Sequence, residues 1–101
     1  QAVSFKLAKM ATYIYAMNLM LYDVAALKAS GERCSVPAAE AKVFAATNAT
    51  KICLDAIQIL GGNGYSREYT VERLLRDNKL MEIGEGTNEV QNIVISGAIL
   101  K

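Results

Sequence analysis

The chain contains no histidine, only one proline and only two cysteines. The absence of histidine excludes Ser–His and Cys–His nucleophile systems and histidine-based metal sites. Any acid–base chemistry must therefore use a carboxylate, a lysine or a tyrosine. Because Cys34 and Cys53 do not form a metal-ligand pattern, we expect no metal site, and two free thiols in a reducing compartment are a simpler interpretation than a disulfide.

The sequence also has little net charge, +1, and no long apolar run. A near-neutral chain is a poor match for nucleic acid or for an anionic membrane surface. The longest apolar stretches, such as Ile93–Ile95, are far shorter than the roughly 20 residues of a membrane helix. We therefore expect no nucleic-acid partner and no membrane span. The N-terminus shows no signal-peptide pattern and starts at Gln1 rather than Met, which suggests a piece of a longer protein.

A long first helix is predicted by the spacing of apolar residues, which alternates between four and three as along a helix–helix seam. These residues are Val3, Leu7, Met10, Ile14, Met17, Leu21 and Val24. The pattern predicts a helix over about residues 2–30, ending at Ser30-Gly31, since glycine readily takes the left-handed conformation that ends helices.

A second long helix is predicted to start with Ser35 as its N-cap and Pro37 in its first turn. Its seam again alternates three and four, at Val43, Ala46, Thr50, Cys53, Ile57 and Leu60. The segment Gly61-Gly62-Asn63-Gly64 ends it. Because the connection between the two long helices is short, we expect them to be antiparallel.

Two shorter helices are predicted in the rest of the chain. The first covers about residues 69–79, with Thr70 as N-cap. The second starts near Asn88. The residues predicted to face inward are Val71, Leu74 and Leu75 in the first, and Val90, Ile93, Val94 and Gly97 in the second. No strand alternation is present, so residues 1–101 are predicted to form an all-α, antiparallel up-and-down helical bundle.

The first helix carries further apolar residues beside its main stripe, at Phe5, Ala8, Ala11 and Tyr15. Three and a half helices would leave this surface exposed. We therefore expect a packing partner outside the chain, either an earlier helix of the parent protein, another subunit, or both.

Two segments could carry chemistry. The first is residues 58–64, where a glycine cluster follows a helix; a simple helix stop is the more typical meaning of such a cluster, although glycines also let a ligand approach the backbone closely. The second is Glu85, flanked by Gly84 and Gly86, which predict a turn of unusual backbone shape before the last helix. A carboxylate there commonly complements the helix dipole. As a general base it would need an apolar, water-poor pocket, and its sequence neighbours supply no positive charge.

Five segments in register resemble the C-terminal helical domain of the acyl-CoA dehydrogenases. They read QAVSFKLAKMA (1–11), DAIQILGGNGY (55–65), EYTVER (68–73), RDNK (76–79) and EGTNEVQ (85–91). The resemblance covers nearly the whole chain. It implies a four-helix-type bundle whose first long helix lies upstream of Gln1, so residues 1–101 would be part of that domain.

The resemblance implies an FAD-dependent oxidoreductase that converts an acyl-CoA thioester to the 2-enoyl-CoA. Glu85 matches the base that abstracts the α-proton while the β-hydrogen leaves as hydride to the flavin. Gly86 and Gly84 would line the acyl-CoA pocket, and Thr87, Asn88 and Glu89 would contact FAD. A second set would contact the FAD of a neighbouring subunit, namely Gln1, Gln58, Ile59, Leu60, Gly61 and Gly62.

The implied partners are the acyl-CoA substrate, an electron-transfer flavoprotein and further copies of the protein in a homotetramer. The implied location is the cytoplasm of a bacterium or the mitochondrial matrix of a eukaryote. A same-fold acyl-CoA oxidase and a non-catalytic helical interaction module remain as alternatives. The chain alone is expected to be inactive.

Gly84 departs from the family pattern, in which an aromatic residue often precedes the base. The missing side chain should widen the pocket beside the substrate α-carbon. We therefore expect a branched, cyclic or bulky acyl group.

Overall fold

The computed structural model describes residues 1–101 as five helices without strands. The helices are α1 (Ala2–Ala29), α2 (Ser35–Leu60), α3 (Gly62–Tyr65), α4 (Val71–Met81) and α5 (Asn88–Ile99). The all-α prediction is confirmed, and so are the two long helices and the helix start at Asn88. The break at Gly61 is also confirmed; its φ is +60°.

Helix α2 is the centre of the bundle, because it contacts each of the other four helices whereas α1 contacts α2 alone. An ion pair between Lys6 and Asp55, 3.6 Å apart, joins the start of α1 to the end of α2. Leu21 and Ala38 line one groove at the opposite end. The two long helices are therefore antiparallel, as predicted. The bundle is elongated, about 48 by 25 by 25 Å.

Three predicted boundaries differ from the structure. Cys34 is the N-cap of α2, and Ser35 is its first helical residue rather than the cap. Helix α4 has Thr70 at its N-cap position, as predicted, but its first helical residue is Val71 and it runs to Met81, two residues beyond the predicted end. The glycine-rich segment also forms α3, a single helical turn. This turn packs tightly on the chain before it, since a Cβ on Gly64 would lie 2.5 Å from the carbonyl oxygen of Ile57.

The α1 seam is rotated from the predicted stripe. The residues that are buried or half-buried against α2 include Lys6, Met10, Tyr13, Met17, Met20, Val24 and Leu27. This set has the same alternation of four and three, but Val3, Leu7, Ile14 and Leu21 are exposed. Because α1 is apolar on several faces, spacing alone could not indicate which stripe meets α2.

The predicted inward faces of α4 and α5 are also partly wrong. Leu74 is exposed, and the predicted α5 stripe of Val90, Ile93, Val94 and Gly97 lies on the exposed side. The half-buried residues of α5 are Asn88, Gln91 and Ile95. Polar side chains replace apolar ones on this inward face because they hydrogen-bond the turn that precedes the helix.

Much apolar surface remains uncovered, in agreement with the expected external packing partner. Phe5, Tyr15 and Tyr22 are each about two-thirds exposed. Helix α2 is long and apolar enough, by length and composition alone, to cross a membrane. This is weak evidence for a span, because the central helix of a helical bundle has the same composition, and α2 contacts four other helices.

Candidate active site

The turn between α4 and α5 carries Glu85 in an unusual conformation. Glu85 has a φ of +55°, the only non-glycine residue with positive φ, and Gly86 follows with +93°. The left-handed conformation costs an L-residue roughly 1–2 kcal/mol. Such a conformation persists only where the surrounding structure enforces it, and it is frequent at functional sites. The predicted unusual shape of this turn is therefore confirmed.

Two side chains hold the turn by its carbonyl groups. The Gln91 amide Nε2 donates to the carbonyl oxygens of Glu85, at 3.2 Å, and of Gly86, at 3.4 Å. The Lys42 ammonium donates to the Gly86 carbonyl from α2. Thr87 then caps α5, its hydroxyl oxygen accepting from the Val90 N–H at 3.2 Å. These bonds satisfy carbonyl and N–H groups that no helix ladder reaches.

A polar network anchors the turn's first residue, Glu82, to α2 and α4. The Glu82 carboxylate accepts hydrogen bonds from the Thr50 hydroxyl, from the Asn88 amide at 3.3 Å and from the Lys79 ammonium at 3.4 Å. Asn78 in turn donates to the Thr50 hydroxyl at 2.9 Å. The Thr50 hydrogen bond lowers the pKa of the Glu82 carboxyl; burial opposes this, and Lys79 adds to the lowering. Glu82 is thus an ionised acceptor at the junction at neutral pH.

The Glu85 side chain itself is exposed in this chain. The apolar pocket expected around a base is therefore not formed by these 101 residues alone. The backbone N–H groups of Glu85 and Gly86 donate to no acceptor within the chain. The sequence neighbours of Glu85 bring no positive charge, but the fold does, because Lys42 reaches the adjacent carbonyl from a helix that is distant in sequence.

Of the residues after Glu85 that are predicted to contact FAD, Asn88 faces the interior of the bundle and Glu89 faces solvent. The Asn88 amide Nδ2 points inward and donates to the Thr47 hydroxyl at 3.2 Å and to Glu82, while its Oδ1 is buried without a partner. Glu89 is exposed, and neither its N–H nor that of Thr87 has an acceptor in the chain. Free N–H donors at a helix N-terminus suit an anionic cofactor.

The second set of predicted cofactor residues lies far from the turn. Gly86 contacts α2 at Lys42, whereas Gly61 ends that helix. At 1.5 Å per residue, the two places are roughly 28 Å apart along α2. Gln1 lies at the same end as Gly61 because α1 is antiparallel to α2. Gly61 and Gly62 are exposed, and a Cβ added to either would meet no atom within 4 Å. Their surface is therefore open to an outside group.

Sequence reasoning missed several residues of the junction: Lys42, Thr47, Asn78, Glu82 and Gln91. A usable signal exists for two of them. Asn78 and Glu82 continue the alternation of four and three that starts at Val71 and Leu75. All four residues are half-buried on one side of α4, with Glu82 just after its last residue. In the sequence, however, the polar side chains of Asn78 and Glu82 indicate a solvent-exposed face of the helix rather than a buried one. An exposed ion pair of such a face does form, between Arg73 and Asp77 at 3.8 Å.

The all-α bundle presents a carboxylate on an enforced left-handed turn, beside a helix N-terminus with free donors, and enforced turns of this kind are frequent at functional sites. The comparison with known families is specific. The chain belongs to the acyl-CoA dehydrogenase family, whose "Acyl-CoA dehydrogenase, C-terminal domain" model matches residues 1–100.

Similar proteins cover the whole chain. It is 52% identical over its full length to the probable acyl-CoA dehydrogenase YngJ of Bacillus subtilis. It is 44% identical to the CarC subunit of the caffeyl-CoA reductase-Etf complex of Acetobacterium woodii. The structure of butyryl-CoA dehydrogenase from Megasphaera elsdenii superposes on all of it with a TM-score of 0.98 at 46% identity. The chain spans only 27% of the first two proteins and 26% of the third.

Proposed function

We propose that this chain is the C-terminal part of an FAD-dependent enzyme that dehydrogenates an acyl-CoA thioester between its α and β carbons, with Glu85 as the base. The observation that carries the proposal is the enforced left-handed turn. A carboxylate that only complemented a helix dipole would need no strained backbone. The strained backbone of Glu85 has a reason if catalysis requires its carboxylate to be held at one fixed position, pointing away from the bundle.

In this proposal Glu85 removes the α-proton, and the turn binds the thioester. The free N–H of Glu85 would donate to the thioester carbonyl and stabilise the negative charge that develops as the proton leaves. Gly86 would line the acyl-CoA pocket beside it, and the space of its missing side chain is occupied by the Gln91 amide. The rest of the protein would supply the apolar surroundings, which favour proton uptake by a carboxylate because they destabilise its charge.

The residues fit FAD at two separate surfaces. Thr87 and Glu89 offer free N–H groups near the base. A second, mostly exposed surface lies at the other end of α2, roughly 28 Å away, and comprises Gln1, Gln58, Leu60, Gly61 and Gly62 with the half-buried Ile59. When bound, FAD would accept the β-hydrogen as hydride. Because one chain separates the two surfaces so widely, we propose that each contacts a different flavin, which requires a homo-oligomer such as the implied tetramer.

The test uses the complete protein that carries this chain, mixed anaerobically with a panel of acyl-CoAs while visible flavin absorbance is followed. Bleaching by some thioesters establishes the reaction. Glu85→Gln keeps the shape of the side chain but cannot accept the proton, so bleaching should slow by about 10²–10⁴-fold. Glu40→Gln, an exposed acid on α2, is the matched control and should bleach normally. A flavin that no acyl-CoA bleaches, or equal rates in Glu85→Gln and Glu40→Gln, would refute the proposal.

We further propose an electron-transfer flavoprotein as the electron acceptor, because the similar CarC subunit belongs to a complex with one. The reduced protein should then be reoxidised much faster by such a flavoprotein than by oxygen. Rapid reoxidation by oxygen alone would instead identify an acyl-CoA oxidase.

Gly84 supports a bulky acyl group. Its φ is not left-handed, so the backbone does not demand glycine here. A Cβ would lie 3.3 Å from the Leu80 carbonyl oxygen, a close approach that a shift of a few tenths of an ångström relieves, and 3.7 Å from the Leu80 side chain. Gly84→Tyr should shift the ratio of bleaching rates from branched or aryl thioesters toward linear ones by at least about tenfold, since one filled pocket position discriminates to that extent. An unchanged ratio would contradict a pocket widened at Gly84.

A further inference from the structure

Lys42 is half-buried and has no carboxylate partner. Its stem lies in a groove between α1 and α2, which is also lined by Met17, Leu21 and Ala45. It takes part in none of the ion pairs of the chain. A partly buried ammonium usually pairs with an acid. Here its one hydrogen-bond acceptor is the main-chain carbonyl of Gly86.

The carbonyl that Lys42 binds belongs to the residue directly after the proposed base. Gly86 follows Glu85, and both residues have left-handed φ values. Gln91 also binds these carbonyls, but it lies only a turn into α5 and moves with the segment that it holds. The remaining ties to α2, from Asn88 to Thr47 and from Glu82 to Thr50, flank the turn on either side. Lys42 is therefore the direct connection between the backbone at Glu85–Gly86 and the central helix.

We infer that Lys42 is a positioning residue for Glu85: by donating to the Gly86 carbonyl from α2, it fixes the left-handed turn on which the base stands. The inference rests on the proposed role of Glu85. Without Lys42 the turn stays attached to α2 only at its two ends, and the strained φ of Glu85 can relax. A displacement of the carboxylate by about 1 Å is enough to slow proton abstraction by roughly 100-fold.

The test compares Lys42→Met with Lys51→Met in the complete, flavin-loaded protein. Methionine keeps an unbranched stem for the groove but removes the donor. Lys51 is an exposed lysine of the same helix that takes part in no ion pair. For Lys42→Met we expect bleaching at saturating acyl-CoA to slow by about 10–100-fold, with the half-saturating concentration changed less than about threefold. Lys51→Met should bleach like the unaltered protein.

Hydrogen exchange gives a second readout that does not depend on activity. Amides of residues 84–91 should exchange faster in Lys42→Met, while those of α4 stay as protected as in Lys51→Met. Equal bleaching rates in the two variants would overturn the inference. It would also be overturned if exchange rose equally throughout α4 and α5, which indicates general destabilisation, or if only the half-saturating concentration rose.

A failure of the positioning role can be told apart from a failure of the proposed function. If the unaltered protein bleaches normally and Lys42→Met does too, the proposed function stands and the positioning role is wrong. If no acyl-CoA bleaches the unaltered protein, the proposed function is wrong, and the exchange experiment still decides whether Lys42 holds the turn.

Discussion

Two glycine-containing turns of the chain, residues 61–64 and residues 84–87, use glycine for different reasons. In residues 61–64, the lack of a side chain lets the backbone pack on itself, because Gly64 is buried against the backbone of Ile57. In residues 84–87, the backbone is held in left-handed conformations at Glu85 and Gly86 by side chains from α2 and α5.

This difference separates a turn whose glycine is required for close packing from the turn that carries the proposed base. Apart from Gly61, the first turn contains no left-handed residue, and close packing is what demands Gly64. The second turn places a non-glycine residue in a strained conformation and needs a polar network to keep it there. An acid at such a position is a stronger indication of function than a glycine cluster, whose commonest meaning is the end of a helix.

The largest effect is expected for Gly64→Ala, which tests the packing in the first turn. A Cβ would lie 2.5 Å from the Ile57 carbonyl oxygen and 2.8 Å from its Cα, and backbone atoms cannot move aside as a flexible side chain can. The local opening free energy should fall by roughly 2–4 kcal/mol. Hydrogen exchange of the α3 amides and of the last turn of α2 in the complete protein would measure this loss.

The matched control is Gly97→Ala in α5, where no atom lies within 4 Å of the added carbon. Alanine is the better helix former, so this change should stabilise α5 by about 0.5–1 kcal/mol. If Gly64→Ala were as harmless as Gly97→Ala, close packing would not explain the first turn.

Much of the fold was predictable because local signals and tertiary structure agree. Gly31 and Gly61 end the two long helices at the expected places, and the short connection makes them antiparallel. Which face of a helix is buried was less predictable. Helix α1 is apolar on several sides, so its seam could be assigned only when its one neighbour, α2, was known. Its other faces remain exposed in this chain, where we expect an external packing partner.

The unusual turn at Glu85 was predictable, but the side chains that hold it were not. A charged residue such as Lys42 in the middle of a long helix has no sequence signal that assigns it to a carbonyl 44 residues away. Asn78 and Glu82 were detectable by their spacing, yet their polarity suggested a solvated face. Polar residues that face inward to hydrogen-bond a turn look, in the sequence, like polar residues that face water.

A smaller loss is expected for Gly86→Ala, which tests the strain in the second turn. The φ of +93° disfavours any side chain, but the nearest atom to the added carbon is the flexible Gln91 Nε2, at 2.6 Å. The local cost should be about 1–3 kcal/mol, seen as faster hydrogen exchange of the first amides of α5. Combining it with Gln91→Ala separates the two contributions. In the Gln91→Ala background the collision is gone, so Gly86→Ala should cost less there than alone, and what remains measures the backbone strain. If the cost is the same in both backgrounds, the Gln91 amide does not restrict this turn, and the hold on Glu85 must come from α2.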